Sequence, residues 1–181
     1  MTKASVQWWM LVGFCGVKGG DVAPFWPKIG FLWVRTIEPM FIGEYTHTVD
    51  NKGRITVPAV YRNELEDGAY LTRGLDGCLG LYPDAEWKHL TEKVKALPMT
   101  SRSARDFRRF FYGSAVETTP DRQGRILIPS YLREYASIGI EATVVGMDTF
   151  IEIWHPETWE VTRQSVEADE ANVDRWADLG I

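Results

Sequence analysis

The chain has 181 residues, of which 45% are hydrophobic and 25% charged, and a formal net charge of −5. These values exclude a disordered or fibrous protein and fit one or two compact soluble domains. Two cysteines, Cys15 and Cys78, without a CxxC pair exclude a disulfide framework, and a reducing compartment is the simplest home.

The charge is unevenly spread. Residues 40–140 carry fourteen basic and thirteen acidic side chains, whereas residues 141–181 carry ten acidic and two basic. A positive patch on such a chain can still meet phosphate. His47, His89 and His155 show no ligand spacing, so no metal is expected.

Residues 1–39 hold four of the eight tryptophans but no sustained helical or alternating period. The segment has neither an apolar run long enough for a membrane span nor a convincing leader-peptide cleavage site. Met40 opens a stretch of different grammar. It is expected to be the natural start, with residues 1–39 either translated upstream DNA or a poorly ordered tail.

From Met40 the elements come in a recurring order. "GEYTHTVD" reads as a strand, "NKG" as a turn whose glycine supplies positive φ, and "RITV" as a second strand rich in β-branched residues. Pro58 ends that strand and opens a short helix, "PAVYRNEL". Two more strands ("AYLTRG", "CLGLYP") and a helix ("DAEWKHLTEKVKAL") follow. "TSRSARDFRRFFYG" reads as an amphipathic bridging helix, with Phe107, Phe110 and Phe111 on one face and Arg102, Arg105 and Arg109 on another. Together with Arg108 these arginines form a phosphate patch, a subunit-contact surface or a solvated face, the last two being favoured.

The same order then starts again, with "SAVETTPD", "RQG", "RILI", a short helix "PSYLREYA", strands "ATVVG" and "FIEIW", and a helix "PETWEVTRQSVEAD". "DNKGRITVP" at Asp50 matches "DRQGRILIP" at Asp121, an offset of 121 − 50 = 71. Arg62 and Arg133 extend the match. After one inserted residue, Gly74, Asp76 and Trp87 meet Gly146, Asp148 and Trp159. Two blocks in the same order indicate an internal duplication. Trp87 and Trp159 are expected to anchor helices on the core. Residues 167–178 are acidic and are expected to point away from any DNA-binding face.

The duplicated Gly-Arg turn admits two readings. In one, the aspartate accepts the turn amides and pairs with the arginine, so that the motif encodes only a hairpin. In the other, it presents arginine, a planar fork of five donors, to phosphate or to the O6 and N7 of guanine. Asp50, Gly53, Pro58, Asp121, Gly124 and Pro129 are assigned to building the turns. Lysine and arginine are expected to face outward, while Arg62 and Arg133 are expected to be solvated or ion-paired. No GxSxG elbow, phosphate loop or dinucleotide fingerprint is present, so neither enzyme chemistry, a cofactor nor a small-molecule substrate is expected. Cys78 reads as a small buried thiol.

At "MFIGEYTHTVDNKGRITVP", "YGSAVETTPDRQGRILIP" and the Gly-x-Asp…"IEIW" block, residues 40 to about 159 resemble the MraZ family of bacterial transcriptional regulators. The resemblance implies an α+β fold: a tandem, pseudo-twofold swapped-hairpin (AbrB-like) β-barrel with flanking helices. It implies a non-homologous extension at 1–39, a first repeat at 40–100, a bridging helix at 101–112, a second repeat at 113–160 and an acidic helix or tail at 161–181. It further implies sequence-specific binding of double-stranded DNA at direct repeats upstream of the protein's own division and cell-wall operon. Assembly into a homo-oligomeric ring and a cytoplasmic, nucleoid-associated location, with no membrane partner, complete the expectation.

The DNA-contacting role falls on Lys52 and Arg54 in the first copy and on Arg125 in the second. Arg122, which stands where the first copy has Asn51, joins them as a candidate, and Gln123 replaces Lys52. An antitoxin-like or oligomeric protein-binding module of the same fold is the alternative. The start-site expectation is checked by intact mass of the protein from its native host. A chain beginning at Met40 is expected, and one retaining Met1 overturns it.

Overall fold

The structure is a computed structural model, and the residues it describes are 40–168. The extension at 1–39, Cys15 and the acidic segment beyond residue 168 lie outside the described residues. The first copy comprises β1 (Glu44–Thr48), β2 (Arg54–Thr56), 3₁₀ turns at Ala59–Tyr61 and Asn63–Leu65, β3 (Ala69–Arg73), β4 (Leu79–Pro83) and α1 (Asp84–Lys95). A bridging helix α2 (Arg102–Tyr112) leads to β5 (Val116–Thr118), β6 (Arg125–Leu127), α3 (Ser130–Tyr135), β7 (Glu141–Met147), β8 (Phe150–Trp154) and α4 (Pro156–Ala168).

One expected helix departs from this pattern. "PAVYRNEL" forms two 3₁₀ turns where its counterpart forms α3. Tyr61 and Asn63 are weaker helix formers than their counterparts Leu132 and Glu134, and the first copy does not sustain a regular turn.

Six strands form one antiparallel sheet in the order β1-β7-β8-β4-β3-β5, and β2 pairs with β6 in a separate two-stranded ribbon. Exchanging the copies turns that order into its own reverse, so the sheet has a pseudo-twofold axis between β8 and β4. The outer strands cross over: β1 pairs with β7 of the second copy, and β5 pairs with β3 of the first. The hairpin expected between β1 and β2 is therefore reduced to its tip. Those strands touch through one bridge, Val49↔Ile55, before each leaves for a strand of the other copy.

The core is likewise shared. Ile55 and Ile126 lie directly opposite each other in the ribbon, each 1% exposed, in one cluster with Val57, Leu79 and Leu81 of the first copy and Ile128, Ile151 and Ile153 of the second. Neither copy has a sheet or a core that it completes alone. This is why the apolar positions recur at the same places in both copies.

The helices cover the sheet through aromatics. Trp87 on α1 stacks on Tyr70 at 4.7 Å and on Phe111 of α2 at 4.9 Å. Trp159 on α4 packs against Cys78, Val145 and Trp154. Phe107 and Phe111 stack at 5.7 Å, but Phe110 turns away to meet Tyr135 edge-on at 5.9 Å, so the three phenylalanines do not share one face.

The arginines of α2 divide by role. The Nη2 of Arg108 donates to the carbonyls of Val94, Lys95 and Leu97 at 3.0, 2.8 and 3.0 Å, and Arg105 donates to those of Met99 and Thr100. Arg108 thus caps the C-terminal end of α1 and the loop that follows it. Arg102 and Arg109 remain exposed beside Asp106. A uniform basic patch does not form, because two of the four arginines serve as helix and loop caps.

Ile55→Ala and Ile126→Ala are each expected to lower the unfolding free energy by about 2–5 kcal/mol. The two losses should be similar, because the sites are equivalent. Denaturant unfolding of both variants checks this.

Candidate nucleic-acid interface

Each Gly-Arg turn is built by its aspartate. Asp50 Oδ1 accepts the backbone N–H groups of Lys52 and Arg54, both at 2.9 Å, and Asp121 Oδ1 accepts those of Gln123 and Arg125 at 2.9 and 3.0 Å. The N–H of Gly53 donates to the Asp50 carbonyl at 2.8 Å, and that of Gly124 to the Asp121 carbonyl at 2.7 Å. The glycines lie at φ +79° and +73°. A type I turn followed by a left-handed residue is the usual three-residue hairpin loop, and glycine takes that conformation without a Cβ penalty.

The alternation of the ribbon then sets the side chains. Ile55 and Ile126 point into the core, so Arg54 and Arg125 point to the opposite face. On that outer face each arginine is held by the aspartate of its own turn. Arg54 Nε and Nη2 lie 2.8 and 2.7 Å from Asp50 Oδ2, and Arg125 Nε and Nη2 lie 3.0 and 2.7 Å from Asp121 Oδ2. The pair that the hairpin-only reading describes is therefore made, because the bulged turn brings the two side chains together.

The pairs also face each other across the copies. Arg54 Nη1 is 3.8 Å from Asp121 Oδ2, and Arg125 Nη1 is 3.8 Å from Asp50 Oδ2. Two aspartates and two arginines, one of each per copy, form a pseudo-symmetric cluster of four charges. The arginine side chains remain 29% and 24% exposed. Lys52 and Arg122 stand at the turn tips, exposed, with no side-chain ion pair or hydrogen bond among the described residues.

The cluster holds its carboxylates firmly ionised. The Asp50 carboxyl is lowered to about 2, first by the backbone N–H of Arg54 and then by its guanidinium. The Asp121 carboxyl is lowered to about 2, first by the Arg125 guanidinium and then by its backbone N–H. Hydrogen bonds to the charged form are the dominant cause in both.

Arg62 and Arg133 also depart from expectation. Neither is merely solvated or ion-paired: Arg62 Nε donates to the Val57 carbonyl at 3.0 Å, and Arg133 Nε donates to the Ile128 carbonyl at 3.2 Å. Each also lies over the turn glycine of the opposite copy. Their recurrence four residues after the strand-ending prolines was the available signal, but spacing alone gives no hint of a partner in the other repeat.

Cys78 is buried, which pushes its thiol up to about 12, as expected of an inert packing residue. Among the described residues, no group of three or more His, Cys, Asp or Glu side chains is placed to hold a metal ion, and no helix is long and apolar enough to cross a membrane.

The duplication is met by two consecutive matches, at residues 40–110 and 111–178, to the family described as "MraZ protein, putative antitoxin-like". The chain belongs to the MraZ family. The transcriptional regulator MraZ of Clostridium acetobutylicum is 50% identical over 143 residues, covering 78% of this chain and all of that protein. That of Caldicellulosiruptor saccharolyticus is 54% identical over 121 residues, covering 67% of this chain and 85% of its own length. That of Herpetosiphon aurantiacus is 50% identical over 132 residues, covering 73% and 92%. The two family matches meet inside α2, so the bridging helix is divided between them.

The depressed carboxyl groups fix a pH dependence. Their stabilising contribution is complete above the unfolded value of 3.8 and is lost as pH falls through about 2. Backbone amide shifts of residues 50–54 and 121–125 are expected to move together between about pH 4 and 2. Asp50→Asn should remove the first turn's share of that titration.

Proposed function

We propose that the β2–β6 ribbon and its two turns are the DNA-reading face of a transcriptional regulator, acting on direct repeats upstream of its own division and cell-wall operon. The four-charge cluster carries this reading. Each aspartate holds the Nε–Nη2 edge of its arginine, while Nη1 lies 3.8 Å from the opposite aspartate, beyond hydrogen-bond range, so a planar fork is oriented before DNA arrives. A two-stranded ribbon is narrow enough for the major groove, and such a fork suits guanine or phosphate.

Charge supports the same face. Residues 50–54 and 121–125 carry four basic and two acidic side chains, a local excess of 4 − 2 = +2 on a chain of net −5. Lys52 and Arg122 supply that excess. They suit phosphate, while Arg54 and Arg125 suit base edges or phosphate. The naming of the relatives as transcriptional regulators supports the role, which requires no enzymatic chemistry.

The reciprocal strand pairing supports the tandem swapped-hairpin barrel, with repeats at 40–100 and 113–160 joined by a bridge at 101–112. A homo-oligomeric ring would align several such faces on repeated DNA, placing the protein on the nucleoid. A second reading, an antitoxin-like protein-binding module, is favoured by the words of the family description. Stoichiometric copurification of a small partner protein would support it.

A gel shift with DNA from just upstream of the gene tests the DNA reading. Wild-type affinity is expected to fall steeply with salt, and Arg54→Ala is expected to abolish specific binding. Lys52→Ala should reduce the slope of log affinity against log salt by about 0.9, the loss of one phosphate contact. An Arg54→Ala protein that binds as tightly as wild type overturns the assignment.

A further inference from the structure

The two turns differ in tip residues, yet each is attached to the opposite repeat in the same way. Gly124 of the second repeat accepts the Val57 N–H of the first through its carbonyl at 2.8 Å. The Val57 carbonyl accepts Arg62 Nε at 3.0 Å. The Arg62 guanidinium then returns to cover Gly124 so closely that a Cβ there would overlap Nε and lie 2.5 Å from Cζ.

The mirrored circuit runs through the other turn. The Ile128 N–H donates to the Gly53 carbonyl at 2.8 Å, and Arg133 Nε donates to the Ile128 carbonyl at 3.2 Å. A Cβ on Gly53 would lie 2.9 Å from Arg133 Nε and 3.0 Å from the Ile128 carbonyl oxygen. Glycine is required at both positions by its positive φ, and its lack of a Cβ lets the arginine of the opposite repeat lie directly on it.

We infer that Arg62 and Arg133 are crossed positioning residues: Arg62 sets the second repeat's DNA turn, and Arg133 sets the first repeat's. The inference rests on the DNA reading of those turns. Each arginine fixes the Cα of a glycine whose neighbour on one side is the reading arginine and on the other a tip residue, Lys52 or Gln123. Its guanidinium is half-buried and its Nε is spent on a carbonyl, so it acts through the turn and not by touching DNA. The crossing makes the two reading turns interdependent, since loosening the segment after either strand-ending proline releases the other repeat's turn.

The test compares Arg62→Gln and Arg133→Gln by amide hydrogen exchange of the full-length protein. The Gln variants lose the guanidinium over the glycine and the charge-assisted bond to the carbonyl. Exchange of the Gln123, Gly124 and Arg125 amides is expected to rise about tenfold in Arg62→Gln, with residues 52–54 unchanged, and the reverse in Arg133→Gln. Arg62→Lys and Arg133→Lys, which keep a charged donor for the carbonyl, should recover part of that protection. They also carry the comparison should either Gln variant fail to fold.

Gel shifts at several salt concentrations supply the functional arm. Each Gln variant is expected to weaken promoter binding about tenfold with the salt slope of wild type, because no phosphate contact is lost. A slope reduced by about 0.9 would make the arginine itself a phosphate contact and overturn the positioning role. Loosening of the variant's own turn, or of both turns equally, overturns the crossing. A wild-type protein that does not bind the promoter, while the crossed exchange pattern holds, refutes the DNA reading and leaves the crossed attachment standing.

Discussion

Everything in the described fold depends on the pairing of β2 with β6. Each strand is three residues long, too short to be stable alone, and each finds its partner only in the other repeat. Ile55 opposite Ile126 puts two branched side chains into the shared core, and the pleat then turns Arg54 and Arg125 to the outer face. Burial of an isoleucine pair thus decides where two arginines stand. The outer strands follow the same reciprocity, β1 on β7 and β5 on β3, so the repeats cannot separate without exposing both sheets and the core.

The electrostatics of the outer face follow from this pairing. The antiparallel ribbon brings two Asp–Arg pairs close enough for each guanidinium to sense both carboxylates. Pairs that remain about a quarter to a third exposed add little to stability, because water screens them. Their effect is geometric: each guanidinium is fixed by hydrogen bonds to its own aspartate and lies 3.8 Å from the opposite one. The cluster is neutral as a whole, so the field of the face comes from Lys52 and Arg122, placed at different positions of otherwise equivalent turns. Symmetry of the backbone and asymmetry of the tips are therefore separable properties of this surface.

The aromatic layer and the arginine caps serve the other side of the sheet. Trp87 bridges Tyr70 of β3 and Phe111 of α2, and Arg108 of α2 closes the end of α1. These contacts join the bridging helix to the first repeat's closing helix. In the second repeat's closing helix Trp159 makes the comparable contact, and among the described residues of that helix none is fully buried. The duplication is thus closer in the sheet than in the helices, as expected where strand register is fixed by pairing and helix position by a few side chains.

The sequence alone determined the repeat, its strands, the positive-φ glycines and the family, because these are local patterns or direct residue matches. The apolar positions of "RITV" and "RILI" and the prolines after them left little freedom for strand and turn. The exchange of strands between repeats was legible only through the family resemblance, since no residue records which of two equivalent partners its backbone will meet. The solvated Arg62 and Arg133 and the single phenylalanine face of α2 were misread for the same reason. Local periodicity gives the direction of a side chain but not what the other repeat places in front of it. Only tertiary structure decided that the two Asp–Arg pairs would face each other across the ribbon, and that each turn glycine would lie under an arginine from the opposite repeat. Both outcomes depend on contacts between residues of opposite repeats, which only the folded core brings together.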